Sequence, residues 1–360
     1  MSQQKALLFL NKDAKKFTLG TRLIPKPGPG QVLIKNKAVA INPIDAYIEK
    51  MPGLLDQLGR GYPALAGVDG AGVIQKLGEG VSGWTVGDEI MYEAHDQPDF
   101  CTFQEYSLSF AARIAKIPKN LTFDEATTIP LCFAVAAIGL YDAHAEPGAM
   151  SGGMALTAPW EEGGRGKYAG QPILVTGGAS SVGQFVIQLA KLSGFDPIIT
   201  TASAHNVGYC KAAGATHVID YKETPYDQLH AAISKITSEP FQYAFDSIAI
   251  TKETQQACYD ILAPGGTVGL VQNAVVGKPN DVADDGSGKR TAVVFAWIHA
   301  GPHVDFATRM YAVLTGMVER GEVKPNKVEL LPGGLVGIMG GLGRFPVSGV
   351  KLVAHPPETP

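Results

Sequence analysis

The sequence predicts an α/β chain of two domains, one rich in β-strands and one built on a doubly wound parallel sheet. Three observations lead to this prediction: a length of 360 residues, a turn-rich first third, and a later alternation of strand and helix signals around a glycine turn. Because single hydrophobic cores rarely grow beyond about 250 to 300 residues, this length favours two domains.

Composition narrows the class of protein. Apolar residues make up 45% of the chain and charged residues 18%, as in compact soluble proteins. The net charge of -4 provides no basic surface for nucleic acid. The first apolar run, Ala6 to Leu10, is too short for a signal peptide or a spanning helix, so we expect a cytoplasmic protein with no membrane segment.

The first half of the chain contains three kinds of pattern. From Gln31 to about Cys101, short apolar runs are separated by glycine and proline, which predicts a strand-rich, partly barrelled domain. The stretch FDEATTIPLCFAVAAIGLYDAHA, residues 123–145, has no such punctuation and predicts helical structure. Residues 146–171 carry seven glycines and two prolines, which predicts an exposed insertion.

Strands and helices alternate after this segment. The strand signals are PILVTG, PIITTAS, THVIDY, QYAFDS, GGTVGLV and TAVVFAW. Such alternation predicts a parallel sheet that is covered on both faces. Polar residues 277–290 predict a loop or lid, and a helix over 305–320 with a strand in VSGVKLVAHP closes the chain.

The stretch ILVTGGASSVGQFVIQLAKLSG predicts a strand, a tight turn and an amphipathic helix. Ser180 stands where a dinucleotide fingerprint has its middle glycine, but a serine is small enough to let a pyrophosphate approach. Amides at the start of the helix attract anions, so the turn predicts dinucleotide binding rather than a plain glycine turn. The predicted contacts are Gly178, Ala179, Ser180, Ser181, Val182 and Gly183.

The end of the next strand bears on which dinucleotide binds. NAD-dependent enzymes usually place Asp or Glu there, against the ribose 2′-hydroxyl, whereas this chain reads TTASAHN. With no carboxylate at Ser203, a 2′-phosphate meets no repulsion, and Ser203, His205, Asn206 and Tyr221 offer donors. The sequence therefore predicts NADPH, although no arginine is present, and the alternative is that residues 203–206 only cap a helix.

The fingerprint lies in the second half, behind a β domain that contains INPID and GVDGAGVIQKLGEGVSGWTVGDEI. With these motifs the chain resembles the medium-chain dehydrogenase/reductase superfamily, in particular its zinc-less quinone oxidoreductase and fungal trans-acting enoyl reductase branch. The resemblance implies a GroES-like catalytic domain over 1–135 and 300–360, a Rossmann NADPH-binding domain over 136–299, and an active site in the cleft between them.

The resemblance also implies further contacts. It assigns Leu270, Val271, Val350 and Lys351 to the cofactor, and places Pro43 and Asp45 beside Asn42 near the nicotinamide. The chain departs from the fungal enzymes at Ala204 and His205, where Pro and Lys are usual, so the phosphate clamp is less basic than expected.

The same comparison predicts that no metal is bound. Zinc alcohol dehydrogenases of this superfamily use Cys, His and Cys as ligands, and Asn42 and Val68 match the first two positions. Cys132 falls close to the third, but one thiol alone does not hold zinc. Without a Lewis acid, reduction of a conjugated C=C is favoured, because hydride adds at the β carbon and hydrogen-bond donors can stabilise the resulting enolate.

These inferences predict an NADPH-dependent, metal-free reductase of an enone, enal, enoyl thioester or quinone. Asn42 would shape the carbonyl end and Tyr47 is the candidate proton donor, with solvent delivery or substrate packing as alternatives. The expected partner is a small hydrophobic conjugated carbonyl substrate or a carrier-bound acyl chain; monomer and homodimer both stay open. Three other functions remain: a trans-acting enoyl reductase of a polyketide synthase, a zinc-independent alcohol or carbonyl dehydrogenase, and a non-catalytic NADPH-binding protein.

Overall fold

The structure is a computed structural model that describes residues 2–51, 53–57, 61–146, 148–299 and 301–360. The strands, in chain order, are β1 (Gln3–Leu8), β2 (Thr18–Leu23), β3 (Gln31–Ala40), β4 (Asp69–Leu77), β5 (Glu89–Glu93), β6 (Tyr106–Phe110), β7 (Ile114–Lys116), β8 (Ile173–Thr176), β9 (Ile198–Thr201), β10 (His217–Ile219), β11 (Phe241–Asp246), β12 (Leu262–Leu270), β13 (Arg290–Val293), β14 (Val328–Leu331) and β15 (Lys351–Ala354).

The helices follow the same order. They are α1 (Pro43–Lys50), α2 (Leu54–Gln57), α3 (Phe123–Ala126), α4 (Pro130–Tyr141), α5 (Ser181–Ser193), α6 (Val207–Ala213), α7 (Leu229–Ile233), α8 (Lys252–Ile261), α9 (Val304–Glu319) and α10 (Leu335–Leu342).

The chain divides into two compact units. Unit 1 consists of 1–131, 297–319 and 325–360, and unit 2 of 132–296 and 320–324. The sequence places the boundaries after residues 135 and 299. The short return of the chain to unit 2 at 320–324, directly after α9, has no signal in the sequence.

Unit 1 is built on a mainly antiparallel sheet. Its strand order is β14-β15-β3-β4-β5-β7, with β6 paired to β3. Apolar side chains on the inner face, such as Ile34, Ile74 and Ile90, are fully buried. Because β15, β3 and β4 are neighbours, residues far apart in the sequence meet where these strands begin and end.

Unit 2 is the predicted doubly wound domain. Its strand order is β10-β9-β8-β11-β12-β13, and every neighbouring pair is parallel. Leu174, Ile199 and Val268 belong to a core on one face of this sheet. In sheets of this order, ligands bind at the carboxyl ends of the strands, where the order reverses beside β8.

The helical structure predicted over residues 123–145 is confirmed for most of that stretch, but it is divided into α3 and α4 by a break at 127–129. Pro130 lacks an amide hydrogen and is tolerated only in the first turn of a helix, so a new helix begins there. The stretch Phe123–Tyr141 is apolar enough to cross a membrane, but 72% of it is buried inside the fold, as in core helices.

The expectation of an exposed insertion at 146–171 is also wrong. Met154, Leu156 and Tyr168 are buried, and the Tyr168 ring stacks on Phe195 at 5.0 Å. A Cβ on Gly153 would lie 2.3 Å from the Asp142 carbonyl oxygen. Some of these glycines therefore allow close packing against the end of α4, which composition does not distinguish from a flexible loop.

Candidate active site

The turn between β8 and α5 is held by glycines that close packing requires. Gly177 has a φ of +71°, a conformation that costs little only for glycine. A Cβ there would lie 2.2 Å from Ile248 Cγ1, and a Cβ on Gly183 would lie 2.3 Å from the Gly177 carbonyl oxygen. Gly178 is equally enclosed, because a Cβ there would lie 2.1 Å from Thr200 Oγ1.

Ser180, the departure from the fingerprint, is the N-cap of α5. Its Oγ accepts a hydrogen bond from the Gly183 amide at 3.0 Å and donates to Ser247 Oγ at 3.1 Å. A glycine at this position would have no side chain to accept this hydrogen bond. The serine provides an N-cap instead, which stabilises a helix by about 1 kcal/mol.

The turn leaves amides directed outward. Ser181 and Val182 are half-buried, and their backbone N–H groups have no acceptor in the described part of the chain. Such amides, together with the helix dipole, form an anion-binding site. The predicted contacts from Gly178 to Gly183 are brought together here.

Two residues that the sequence analysis missed support the turn: Asp246, which ends β11, and Ser247, which follows it. Thr176 Oγ1 donates to Asp246 Oδ1 at 2.6 Å, and Ser247 Oγ donates to the Gly177 carbonyl oxygen at 3.1 Å. Both residues lie at the carboxyl edge of the neighbouring strand. The FDS signal could have indicated them, since a polar pair after an apolar strand of this sheet reaches that edge.

The predicted adenosine end lies after β9. Ser203 and Asn206 are buried, with Asn206 Nδ2 donating to Ser203 Oγ at 3.4 Å, while His205 is exposed. Tyr221 is 38% exposed and stacks on Tyr226 at 6.3 Å. Leu270 and Val271, at the end of β12, belong to the same sheet edge.

A carboxylate that the sequence reading missed lies beside Ser203. Asp220 follows β10, and its Oδ2 accepts from the Ala204 amide at 2.9 Å while Oδ1 accepts from the Lys222 amide at 2.9 Å. The subsite therefore contains an acid from the neighbouring strand, although none follows β9 itself. Two backbone donors offset part of its charge.

Unit 1 contains a buried polar cluster where β3, β4 and β15 meet. Asn42 Nδ2 donates to Asp69 Oδ2 at 2.9 Å, and Lys351 Nζ donates to Asn42 Oδ1 at 2.5 Å. Lys351 Nζ also lies 3.1 Å from Asp69 Oδ2, with both side chains almost fully buried. Both atoms of the Asn42 amide are thus held by an internal ion pair.

Asp45 fixes the backbone around this cluster. Its two carboxylate oxygens accept from the amides of Gly67 and Asn42, each at 2.9 Å. Burial, together with the negative charge of Asp69, raises the pKa of Asp45 to about 7. The predicted cofactor role of Asp45 stays a prediction, because the contacts present are all internal.

The remaining predicted residues of unit 1 surround this cluster in sequence. Pro43 begins α1 and is exposed, Tyr47 is half-buried on α1, and Val350 is half-buried directly before β15. The Tyr47 phenol makes no hydrogen bond to any described residue. It is therefore available to a ligand, as expected of a proton donor.

Comparison with known proteins agrees with the fold. Residues 28–125 match the alcohol dehydrogenase GroES-like domain, and residues 181–302 match the zinc-binding dehydrogenase domain. A trans-enoyl reductase from Fusarium sp. is 30% identical, with 98% of each chain covered. A trans-enoyl reductase from Pyrenochaetopsis sp. is 28% identical over 92% of this chain and 90% of its own.

The chain belongs to the medium-chain dehydrogenase/reductase superfamily, in its enoyl reductase-like branch. Solved structures agree with this fold. The JamJ enoyl reductase superimposes with a TM-score of 0.75 at 20% identity, covering 98% of this chain and 99% of that one. The quinone oxidoreductase of Coxiella burnetii gives 0.69 at 22% identity, covering 98% and 99%. The protein is an oxidoreductase, and its superfamily fold binds a nicotinamide cofactor.

One of the two domain descriptions refers to zinc, which the residues here do not fit. Among the described residues, no group of three or more His, Cys, Asp and Glu side chains could hold a metal ion. Asn42 is held by Lys351 and Asp69, and Val68 has no donor atom. Zinc sites use thiolate, imidazole or carboxylate ligands, so no step is assigned to a metal.

Proposed function

We propose that this protein is an NADPH-dependent reductase of activated C=C bonds, acting without a metal by hydride transfer to the β carbon of a conjugated carbonyl. The observation that carries the proposal is the Asn42, Asp69 and Lys351 cluster, where an ion pair holds the amide that stands at a metal-ligand position of zinc relatives. Two relatives are named trans-enoyl reductases, which favours an enoyl thioester on a carrier as substrate.

The chemistry explains why such a site suits a conjugated acceptor. When bound, the reduced nicotinamide supplies the hydride. In a conjugated acceptor the negative charge is shared between carbon and oxygen, so neutral hydrogen-bond donors can stabilise it. An isolated ketone concentrates the charge on one oxygen, where relatives rely on a Lewis acid.

We assign the proton donor to Tyr47, whose phenol makes no hydrogen bond to any residue that the structure describes. Tyr47→Phe should lower kcat by about 100-fold while the Kd for NADPH stays unchanged. An unchanged kcat would assign the proton to solvent.

We assign the 2′-phosphate of NADPH to Ser203 and its neighbours. Ser203→Asp should weaken NADPH binding about 10-fold or more relative to NADH, because it adds a carboxylate beside the phosphate. Ser203→Asn is the control of equal size and should change both affinities equally. Asp220→Asn should strengthen the preference for NADPH; equal losses of both cofactors in Ser203→Asp would contradict the assignment.

One experiment tests the reaction itself. The purified protein is given NADPH deuterated at C4, with an enoyl thioester, an enone, a quinone or a saturated aldehyde as acceptor. Deuterium should appear at the β carbon of the enoyl thioester and of the enone, whereas reduction of the quinone, which leaves its new hydrogens on exchangeable hydroxyl groups, is followed by oxidation of NADPH. A chelator should not reduce the rate. Faster consumption of the saturated aldehyde would overturn the proposal.

A further inference from the structure

Arg113 is a buried cation without a carboxylate partner. It ends a short 3-10 turn before β7 and is 9% exposed. Within the described ranges, Arg113 forms no ion pair with an Asp or Glu side chain. Since a guanidinium stays charged in proteins, burying this side chain without a counter-charge lowers the stability of the fold.

The nearest polar partner of Arg113 does not balance its charge. Arg113 Nε donates to His299 Nδ1 at 3.1 Å, and His299 Nε2 lies 2.8 Å from the Glu93 carbonyl oxygen. These two contacts define a neutral imidazole that donates from Nε2. Burial, together with repulsion from Arg113 and His95, lowers the pKa of His299 to about 3.

Other acidic groups in the neighbourhood are not free to balance the charge either. Asp69 is already paired with Lys351. Burial, and then the charge of Asp69, raise the pKa of Glu93 well above its ordinary value. Tyr311, which also lies in the field of Arg113, is kept neutral because burial raises the pKa of its phenol.

The outer nitrogens of the guanidinium make a single long contact with the described residues. Nη1 lies 3.5 Å from Thr308 Oγ1, a long contact, and that hydroxyl itself donates to the Val304 carbonyl oxygen at 2.8 Å. Nη2 has no acceptor among the described residues. A guanidinium presents its N–H groups as a fork that matches the two oxygens of a carboxylate or phosphate.

Flat rings border this fork. The guanidinium carbon lies 5.2 Å from the centre of the Phe110 ring, which stacks on Phe100 at 5.2 Å. Phe110 also contacts the rings of His299 at 5.5 Å and His95 at 6.2 Å. A ligand that combines an oxyanion with a planar or apolar segment would contact both the cation and this wall.

We propose that Arg113 is the anchor of an anion site in unit 1, binding a carboxylate or phosphate oxyanion whose adjoining apolar segment packs on Phe110. Two sources can carry this group: a carboxylate on the unsaturated substrate itself, or the phosphate of a pantetheine arm. All residues of this site belong to unit 1, and its occupation can be measured without cofactor or turnover.

The test follows the histidine ring resonances of the full-length protein by NMR during titration. The carboxylate arm compares crotonate with its neutral methyl ester. The phosphate arm compares pantetheine 4′-phosphate with pantetheine, and inorganic phosphate is a third probe. At least one anion should shift the His299 signal with a Kd of about 1 mM or lower, and its neutral partner should not.

Variants then assign the shift to Arg113. Arg113→Gln should weaken binding of the anion about 10- to 100-fold. Arg113→Lys should retain part of the affinity, because it keeps the positive charge but loses the paired N–H donors of the guanidinium. Arg344→Gln is the control, since that arginine pairs with Glu329 on the surface of the same unit. If no anion shifts His299 in the wild-type protein, the proposal is overturned whether or not the variants fold. Reduction of a neutral enone would be unaffected by that failure, so the proposed function stands or falls separately.

Discussion

The turn between β8 and α5 in unit 2 and the buried polar cluster of unit 1 are held in place by different kinds of interaction. The turn uses backbone amides from consecutive residues, and its glycines exist because a Cβ would collide with neighbouring atoms. The cluster uses side chains, and Asn42 and Lys351 are 309 positions apart. Substitutions that add side-chain atoms should therefore disrupt the turn most. Substitutions that remove one member of a buried ion pair should disrupt the cluster most.

The largest expected effect is on the cluster. Lys351→Met would leave Asp69 buried without its cation, at a cost of about 3 to 5 kcal/mol of unfolding free energy. Urea unfolding measures this loss. Adding Asp69→Asn should restore part of it, and the control Arg344→Gln, which removes a surface ion pair, should cost less than about 1 kcal/mol. Equal losses for Lys351→Met and Arg344→Gln would mean that the buried pair is not special.

The next largest effect on stability is expected at the turn between β8 and α5. Gly177→Ala should destabilise the protein by about 3 kcal/mol, through the left-handed backbone and the collision with Ile248. It should also abolish measurable cofactor binding. Gly208→Ala is the matched control, because nothing lies within 4 Å of a Cβ at that helical position. A helical glycine without such contacts should gain about 0.5 to 1 kcal/mol on becoming alanine.

A pH profile separates the buried groups of unit 1. The pKa of His299 falls from 6.5 to about 3 in the folded protein, so between these values the unfolded chain binds a proton that the folded chain does not. The contribution of His299 to the free energy of unfolding therefore falls as the pH falls below 6.5. It falls by about 1.4 kcal/mol per pH unit, which amounts to about 2 kcal/mol at pH 5.

The raised pKa of Asp45 acts with the opposite sign, because there the folded chain holds the extra proton between pH 3.8 and about 7. The informative quantity is thus the difference between His299→Gln and the wild type across this range. Stability of the variant relative to the wild type should improve as the pH drops from 6.5; a flat difference would show that His299 titrates normally.

The smallest effect distinguishes capping from ligand contact at Ser180. Ser180→Ala should cost about 1 kcal/mol, because the Gly183 amide loses its acceptor, while Ser180→Gly should cost only a few tenths. Ser180→Gly also restores the usual fingerprint and should retain NADPH binding. A large loss of NADPH binding in Ser180→Gly would instead indicate that the hydroxyl contacts the cofactor directly.

Errors in the sequence reading came from signals with two meanings. The glycines at 146–171 predict exposure, but Gly153 permits contact with the end of α4. The absence of an acid at Ser203 predicts a subsite without a carboxylate, yet Asp220, which follows β10, lies beside it. In both cases the contact that contradicts the prediction is made by another segment of the chain, which the local sequence pattern does not identify.

The amino-acid sequence is sufficient to predict the two-domain α/β class, the strand, turn and helix around Gly177, and the replacement of metal-ligand residues at Asn42 and Val68. These follow from local spacing, since a strand, a turn and a helix are encoded by adjacent residues. Only the tertiary structure decided that Asn42 is held between Lys351 and Asp69, and that Arg113 is buried beside a neutral His299. Pairing of distant strands depends on the packing of the whole sheet, so no local pattern specifies which charges meet.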